Sequence, residues 1–234
     1  MTEKKTAAPS DLLVTIYSPR SPISEAYRTL RTNLQFVSLD KPLQSLLVTS
    51  AGPEEGKSTV LANLAVAIAQ TEKRVILVDC DLRRPSLHKL FGLGHREGLT
   101  TMMVDDNAMN APPLQETVVP GLLLLASGTL PPSPSDLLGS QRMDRVLAVL
   151  KEQADMVLLD APPVLAVSDA AILATKADGV LLVVSAGQTR RESVQMAKTK
   201  LEKVNANLVG AVLTNVSLDT TLQCYYYTQD EEEE

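Results

Sequence analysis

The 234-residue sequence has no tryptophan, two phenylalanines and two cysteines, and each scarcity narrows the reading. Without large rings, the core has to be built from Leu, Val, Ile and Ala. Cys80 and Cys224 lie far apart and form no C-x-x-C. Neither a thiolate metal centre nor a disulfide framework is therefore expected, and both thiols fit a reducing cytosol. No apolar run approaches the roughly 18 residues of a membrane-crossing helix, and no secretory signal is visible. The chain is read as cytoplasmic, with any attachment to the inner face of the cell membrane supplied by a partner. An excess of positive charge is missing too. The formal net charge is -6, and Asp230 with Glu231 to Glu234 account for all but one of those charges. The body is close to neutral and has no nucleic-acid footprint.

What the sequence does have is a phosphate site. Ala51-Gly52-Pro53-Glu54-Glu55-Gly56-Lys57-Ser58 reads A-x-x-x-x-G-K-S, between the apolar run Leu46-Leu47-Val48 and a helical pattern from Leu61 to Ala69. Strand, loop and helix together make a P-loop. Gly56 lets backbone N–H groups close around a phosphate at the positive end of the following helix. Lys57 brings a point charge to the β- and γ-phosphates, and the Ser58 hydroxyl is a ligand for Mg²⁺. A nucleoside triphosphate is the expected ligand.

Two acidic strand ends complete the site. Arg74 to Asp81 is a buried-strand pattern closing on two carboxylates, and Asp79 and Asp81, two apart, point the same way. Met156-Val157-Leu158-Leu159-Asp160 is a second apolar strand ending in an acid. Ligands of open parallel sheets collect at the carboxyl ends of the strands. An isolated Asp at such a place only starts a turn. Three converging on a P-loop point to Mg²⁺ binding and phosphoryl transfer.

Strand patterns near 45–50, 74–79, 122–126, 156–160, 180–185 and 208–214 alternate with helical ones near 23–38, 57–71, 140–153, 168–176 and 190–205. This predicts an α/β P-loop NTPase, its mostly parallel sheet covered by helices on both faces. A flexible segment is expected over 1–22, the P-loop domain over 23–215, a tail over 216–234, and an irregular connection over 102–135. In the first helix, Ile23, Ala26, Tyr27, Leu30, Leu34 and Val37 form an apolar stripe expected to pack on the sheet. Glu25, Arg28 and Arg31 recur every third residue; by spacing alone they are a solvated face with one weak ion pair. Tyr225, Tyr226 and Tyr227 precede the acidic run, and three consecutive side chains cannot all face inward from a strand. They are either an adhesive edge or a set of exposed phenols offered as phosphate acceptors.

From about Ile23 to Tyr227 the chain resembles the bacterial tyrosine kinases of capsular and exopolysaccharide synthesis, in their stand-alone cytoplasmic form. The resemblance rests on the P-loop, on Val78 to Pro85, on Leu159-Asp160-Ala161-Pro162-Pro163, on the tyrosine cluster and on the E-x-x-R-x-x-R helix. It implies ATP and Mg²⁺ as cofactors. The nucleotide would be held by Gly52, Glu55, Gly56, Lys57, Ser58 and Thr59, with Asn215 at a position that recognises adenine. Ser58, Asp81 and Asp160 match metal-holding positions, and Asp79 matches the carboxylate that accepts the tyrosine proton. Lys57, Asp79, Asp81 and Asp160 are thus the expected catalytic set, and Tyr225, Tyr226 and Tyr227 the phosphoacceptors. Glu25, Arg28 and Arg31 match a motif that assembles such kinases into a homo-oligomeric ring. The expected partners are a membrane-embedded activator of the polysaccharide co-polymerase type and a cognate tyrosine phosphatase. The rival reading is an ATPase switch like the partitioning and septum-site ATPases. Those carry a signature lysine where this chain has Gly52. A third is a regulatory subunit without turnover, against which the three intact acids stand.

Overall fold

The computed structural model describes residues 10–37 and 42–216, so the tyrosine cluster and the acidic run lie outside the described residues. The first half runs α1 (Val14–Tyr17), α2 (Pro22–Val37), β1 (Ser45–Ser50), α3 (Lys57–Ala69), β2 (Val75–Asp79), α4 (Leu87–Leu90), α5 (Leu99–Val104) and α6 (Asp106–Asn110). The second half runs β3 (Gln115–Glu116), β4 (Leu122–Leu125), α7 (Pro134–Gly139), α8 (Gln141–Gln153), β5 (Met156–Asp160), α9 (Asp169–Ala174), β6 (Gly179–Ser185), α10 (Arg191–Glu202) and β7 (Leu208–Thr214). The sheet order is β3-β4-β2-β5-β1-β6-β7, and every pairing is parallel except β3 with β4.

The strands form because their apolar runs are covered on both sides. Every residue of β1, β2 and β6 is buried, as a doubly covered parallel sheet demands. One core cluster joins residues such as Leu47, Val78, Leu99, Val146 and Leu159; the other joins Leu46, Leu61, Leu77 and Leu158. Neighbouring strand residues alternate between the two, the period-2 signature of a strand.

Helix α3 is apolar almost all the way round, and ten of its residues are buried. Such a helix needs cover on its outer side as well as its sheet side, and α1 and α2 provide it. The α2 stripe, expected to pack on the sheet, packs mainly on α3; Leu34 is buried in the core cluster that also holds Leu46 of β1, while Ile23 and Val37 are about half exposed. Ser21 caps α2 by accepting the Ser24 amide, with Pro22 in the first helical position.

Asn63 is the polar exception inside α3. Its side chain is fully buried and uses all four hydrogen-bonding places: Nδ2 donates to the Leu12 and Thr59 carbonyls, and Oδ1 accepts from the Thr15 amide and hydroxyl. This fastens residues 12–15 to α3 and buries Leu13 completely. The part of 1–22 from Leu13 to Tyr17 is thus packed and partly helical, where a flexible segment is expected from terminal position; residues 1–9 lie outside the described residues. The connection expected over 102–135 contains α6, β3, β4 and the second half of α5, with the start of α7 at its end.

Gly98, at the start of α5, lies against the end of β4. A Cβ there would stand 1.9 Å from the Ala126 carbonyl oxygen, which accepts the Leu99 amide at 2.7 Å. Gly98→Ala should cost about 1–3 kcal/mol through overpacking. In thermal unfolding that reads as a midpoint lowered by roughly 2–4 °C per kcal/mol. An unchanged midpoint would mean the backbone yields there freely.

Candidate active site

Strand β1 delivers the chain into the loop at Ala51. Two loop residues take left-handed backbone, Glu54 at φ 61° and Gly56 at φ 89°, and only for glycine is this without steric cost. The Gly52 amide donates to Glu55 Oε1 at 2.7 Å, and the Thr214 hydroxyl donates to the Glu55 carbonyl at 2.9 Å. Gly52 and Glu55 thus brace the loop against itself and against the end of β7. No side chain caps α3 at Gly56, so its first amides are left for an anion.

The register of the sheet collects the acids. Asp79 pairs directly with Asp160 across β2 and β5, and Val48 of β1 pairs with Asp160 from the other side. Lys57 Nζ lies 3.1 Å from Asp81 Oδ2 and 3.3 Å from Asp160 Oδ1. The Ser58 hydroxyl donates to Asp160 Oδ2 at 2.6 Å. Asp81 Oδ1 accepts the Arg83 and Arg84 amides, and Asp79 Oδ2 accepts those of Ser86 and Leu87. Among the described residues Asp79 Oδ1 is buried without a partner. The structure thus brings together Lys57, Ser58, Asp79, Asp81 and Asp160.

Three carboxylates share one buried ammonium, and their acidities follow. Burial, then the Asp160 charge, pushes Asp79 from 3.8 to about 7, against the Leu87 amide and Lys57. Burial also raises Asp160 against the pull of Lys57 and Ser58. Burial would lower Lys57, but the Asp160 and Asp81 charges outweigh it and hold its pKa above the ordinary value. Cys80, between the acids, is fully buried, and burial with the Asp79 charge keeps its thiol protonated. It is an inert core residue.

Residues without a sequence signal for a role also shape the site. Arg83 reaches the fully buried Asp169 with Nε at 2.8 Å and Nη2 at 3.1 Å, and the Ser135 hydroxyl donates to the same carboxylate. Burial raises Asp169, but Arg83 and Ser135 win and its pKa is lowered. This pair anchors the loop whose amides hold Asp81. Its partners are 86 residues apart, a separation no local pattern reveals.

A cavity of 620 Å³ opens beside the loop, lined by Tyr27, Leu30, Gly56, Thr59, Val212 and Asn215 among others. Asn215 has φ 55° and its Nδ2 donates to the Ser185 hydroxyl, so its amide group is fixed at the cavity edge. On α2, Glu25 and Arg28 pair with each other at 2.7 Å, and Arg31 donates to the Ala67 carbonyl of α3.

Comparison with known proteins matches residues 43–230 to a ParA-type family described as NUBPL iron-transfer P-loop NTPase. The tyrosine-protein kinase YwqD of Bacillus subtilis is 41% identical, over 92% of this chain and 90% of that protein. The chain belongs to the bacterial tyrosine-kinase branch of the ParA-type P-loop NTPases. Tyrosine-protein kinase etk of Escherichia coli is 35% identical over 85% of this chain, which spans only 27% of that longer protein. The solved kinase domain of that enzyme has a TM-score of 0.81 at 31% identity, covering 93% of this chain and 86% of that one. The chimaeric protein CapA2B2 has a TM-score of 0.84 at 34% identity, covering 90% and 92%.

For a kinase of this branch the site has to suit Mg²⁺ and a triphosphate, and its own imbalance argues that it does. One ammonium faces three buried carboxylates, one oxygen of which has no partner. A divalent cation would offset that negative excess. Among the described residues no group of three acidic, histidine or cysteine side chains forms a ready cage. Ser58, Asp81 and Asp160 would therefore hold the ion together with phosphate oxygens and water, as Mg²⁺ prefers.

The raised Asp79 makes a test with a defined sign. Folded Asp79 keeps its proton until about pH 7, while the unfolded carboxyl ionises near 3.8. The folded state therefore binds the extra proton between those values, and this group withdraws stability as pH rises through them. Asp79→Asn stays neutral throughout. Its unfolding midpoint, measured without nucleotide, should gain on that of the unsubstituted protein as pH rises from about 5 to 8. Parallel curves would mean Asp79 is ionised across the range.

Proposed function

We propose that this chain is an ATP-dependent protein-tyrosine kinase that phosphorylates Tyr225, Tyr226 and Tyr227 between copies of itself, in the control of capsular or exopolysaccharide synthesis. The observation that carries the reading is Asp79: a buried carboxylate with a free oxygen and a pKa of about 7, beside the Lys57–Asp160 pair. A general base works best with a pKa near the working pH. ATP with Mg²⁺ supplies the phosphoryl group and neutralises charge on it. Lys57 and the first amides of α3 bind the phosphates. Ser58, Asp81 and Asp160 orient the metal side of the site. Asp79 Oδ1 takes the proton of the tyrosine hydroxyl, and Asp79 Oδ2 is kept in position by the Ser86 and Leu87 amides. The cavity beside Asn215 suits the adenine. The relatives are named tyrosine-protein kinases, and nothing favours an ATPase switch.

Asp79→Asn should leave ATP affinity within a few-fold and lower phosphotyrosine formation by about 10²–10⁴, the usual worth of a positioned base. Lys57→Met should remove both binding and transfer, because the phosphates lose their charge partner. Calorimetric ATP titration beside mass spectrometry separates the two effects. Near-normal transfer by Asp79→Asn would rule that residue out as the base. Changing Tyr225, Tyr226 and Tyr227 to Phe should abolish phosphate on the chain; phosphate persisting on Tyr17 or Tyr27 would rule out the tail.

The assembly reading joins copies into a ring through Glu25, Arg28 and Arg31. One exposed pair is worth roughly 0–1 kcal/mol, but a closed ring repeats the contact at every junction. Light scattering should find a large oligomer for the dephosphorylated protein, smaller species after phosphorylation, and only small species for the triple Ala variant. An unchanged mass for that variant would leave these residues as the intrachain contacts described above. The partner in this reading is a membrane-embedded protein of the polysaccharide co-polymerase type that recruits the kinase to the inner face of the membrane. Among the described residues no helix is long and apolar enough to cross a membrane. Reversal of the modification calls for a tyrosine phosphatase.

A further inference from the structure

The loop and short helix after Asp81 carry a row of cations with no evident structural task. Arg84, Lys89 and Arg96 are exposed, and none has an ion-pair partner among the described residues. The row is tied to the site at several points. The Arg84 amide donates to Asp81 Oδ1 at 2.9 Å. Lys89 lines a 440 Å³ cleft together with Lys57, Ser58 and Ser86. His95 stacks on His88 with ring centroids 4.4 Å apart, and Arg96 follows it. Asp81 is already met by Lys57, and the exposed carboxylates beside the row are Glu54 in that cleft and Glu97 next to Arg96, so the exposed rim keeps a positive excess. Burial, then the charges of His95 and Lys89, lowers His88, in keeping with a positive local field.

The same chain carries the complementary ligand. Asp230 and Glu231 to Glu234 follow Tyr225, Tyr226 and Tyr227 by three to nine positions. An extended chain spans about 3.3–3.6 Å per residue, so with a tyrosine at Asp79 the carboxylates reach about 10–30 Å further on. Arg84 is tied to Asp81 through its amide, Lys89 shares the cleft with Lys57, and Arg96 follows further along the chain, beyond the His88–His95 stack. We propose that Arg84, Lys89 and Arg96 form a docking rim for the acidic run Asp230–Glu234, so that the enzyme selects tyrosines followed by several carboxylates. This deepens the tyrosine-kinase reading and rests on it. Opposed charges on an exposed rim act on encounter and orientation and are screened by salt.

The test uses two ten-residue peptides, residues 225–234 as they stand and the same peptide with Asp230→Asn and Glu231 to Glu234→Gln. Each is offered to the unsubstituted full chain and to its Arg84→Gln/Lys89→Gln/Arg96→Gln variant. The measure is the ratio of kcat/KM for the two peptides on one enzyme, which cancels any change in ATP handling. The unsubstituted chain should favour the acidic peptide about tenfold at 50 mM salt, through KM, and lose the preference at 500 mM, where the screening length is only a few ångström. The variant should have a ratio near one at both. A ratio near one for the unsubstituted chain, or a preference surviving in the variant, would overturn the docking rim. Fluorescence anisotropy of the labelled acidic peptide separates this from the reading beneath it. Binding that depends on the three cations without any phosphorylation would keep the rim and remove the kinase. Equal phosphorylation of both peptides would keep the kinase and remove the rim.

Discussion

One ammonium among three buried carboxylates is the constraint on which the site depends. Lys57 is the cation that meets Asp81 and Asp160 within 3.3 Å. Removing one partner from such a buried group costs several kcal/mol, because the remaining charges lose compensation. The protein meets the excess in two ways. It leaves Asp79 able to hold a proton, and it turns backbone amides toward Asp79 and Asp81. The chemistry and the electrostatic strain are two aspects of one cluster.

Strand register makes that cluster possible. Asp79 and Asp160 are 81 positions apart in sequence yet directly opposite in the sheet, and β1 beside them leads into the loop that supplies Lys57. A one-residue slip in β2 or β5 would turn every side chain to the other face and separate the acids. The apolar runs within β1, β2 and β5 are buried, and the polar residues that bound them, Asp79 and Asp160 among them, mark the register. Core packing and catalytic geometry are therefore the same specification. The Arg83–Asp169 pair adds a second fixing point, joining the loop after β2 to the start of α9.

The parallel sheet and its central strands were legible because uninterrupted apolar runs ending in Asp have few other meanings. The P-loop was legible because its context agrees with its spacing. The errors have physical causes as well. The α2 stripe looked like a sheet-packing face because periodicity reports which side is apolar, and not what covers it. Helix α3 was the missing information: apolar on all sides, it draws α1 and α2 onto itself. Residues 13–17 fall in the segment expected to be flexible from its terminal position, while their order comes from Asn63, some fifty positions away. Arg83, Asp169 and Ser135 gave no signal of their joint role, since only the fold brings three ordinary polar residues together. The roles of the tyrosine tail rest on sequence and on kinship.

The Asn63 clasp redraws the lower limit of the folding unit. A chain shortened to begin at Ile23, where the regular helical pattern starts, would keep the whole sheet and every acid. It would also leave the Asn63 Oδ1 acceptor and one Nδ2 donor stranded within α3 and uncover the slot now filled by Leu13. An unmet buried polar group costs about 1–3 kcal/mol, a sizeable fraction of the roughly 5–15 kcal/mol on which domains survive. Asn63 also bonds the carbonyl of Thr59, in the first turn of the phosphate-binding helix. A unit cut back to the catalytic groups is therefore less stable than one that keeps this handful of residues at its amino-terminal edge.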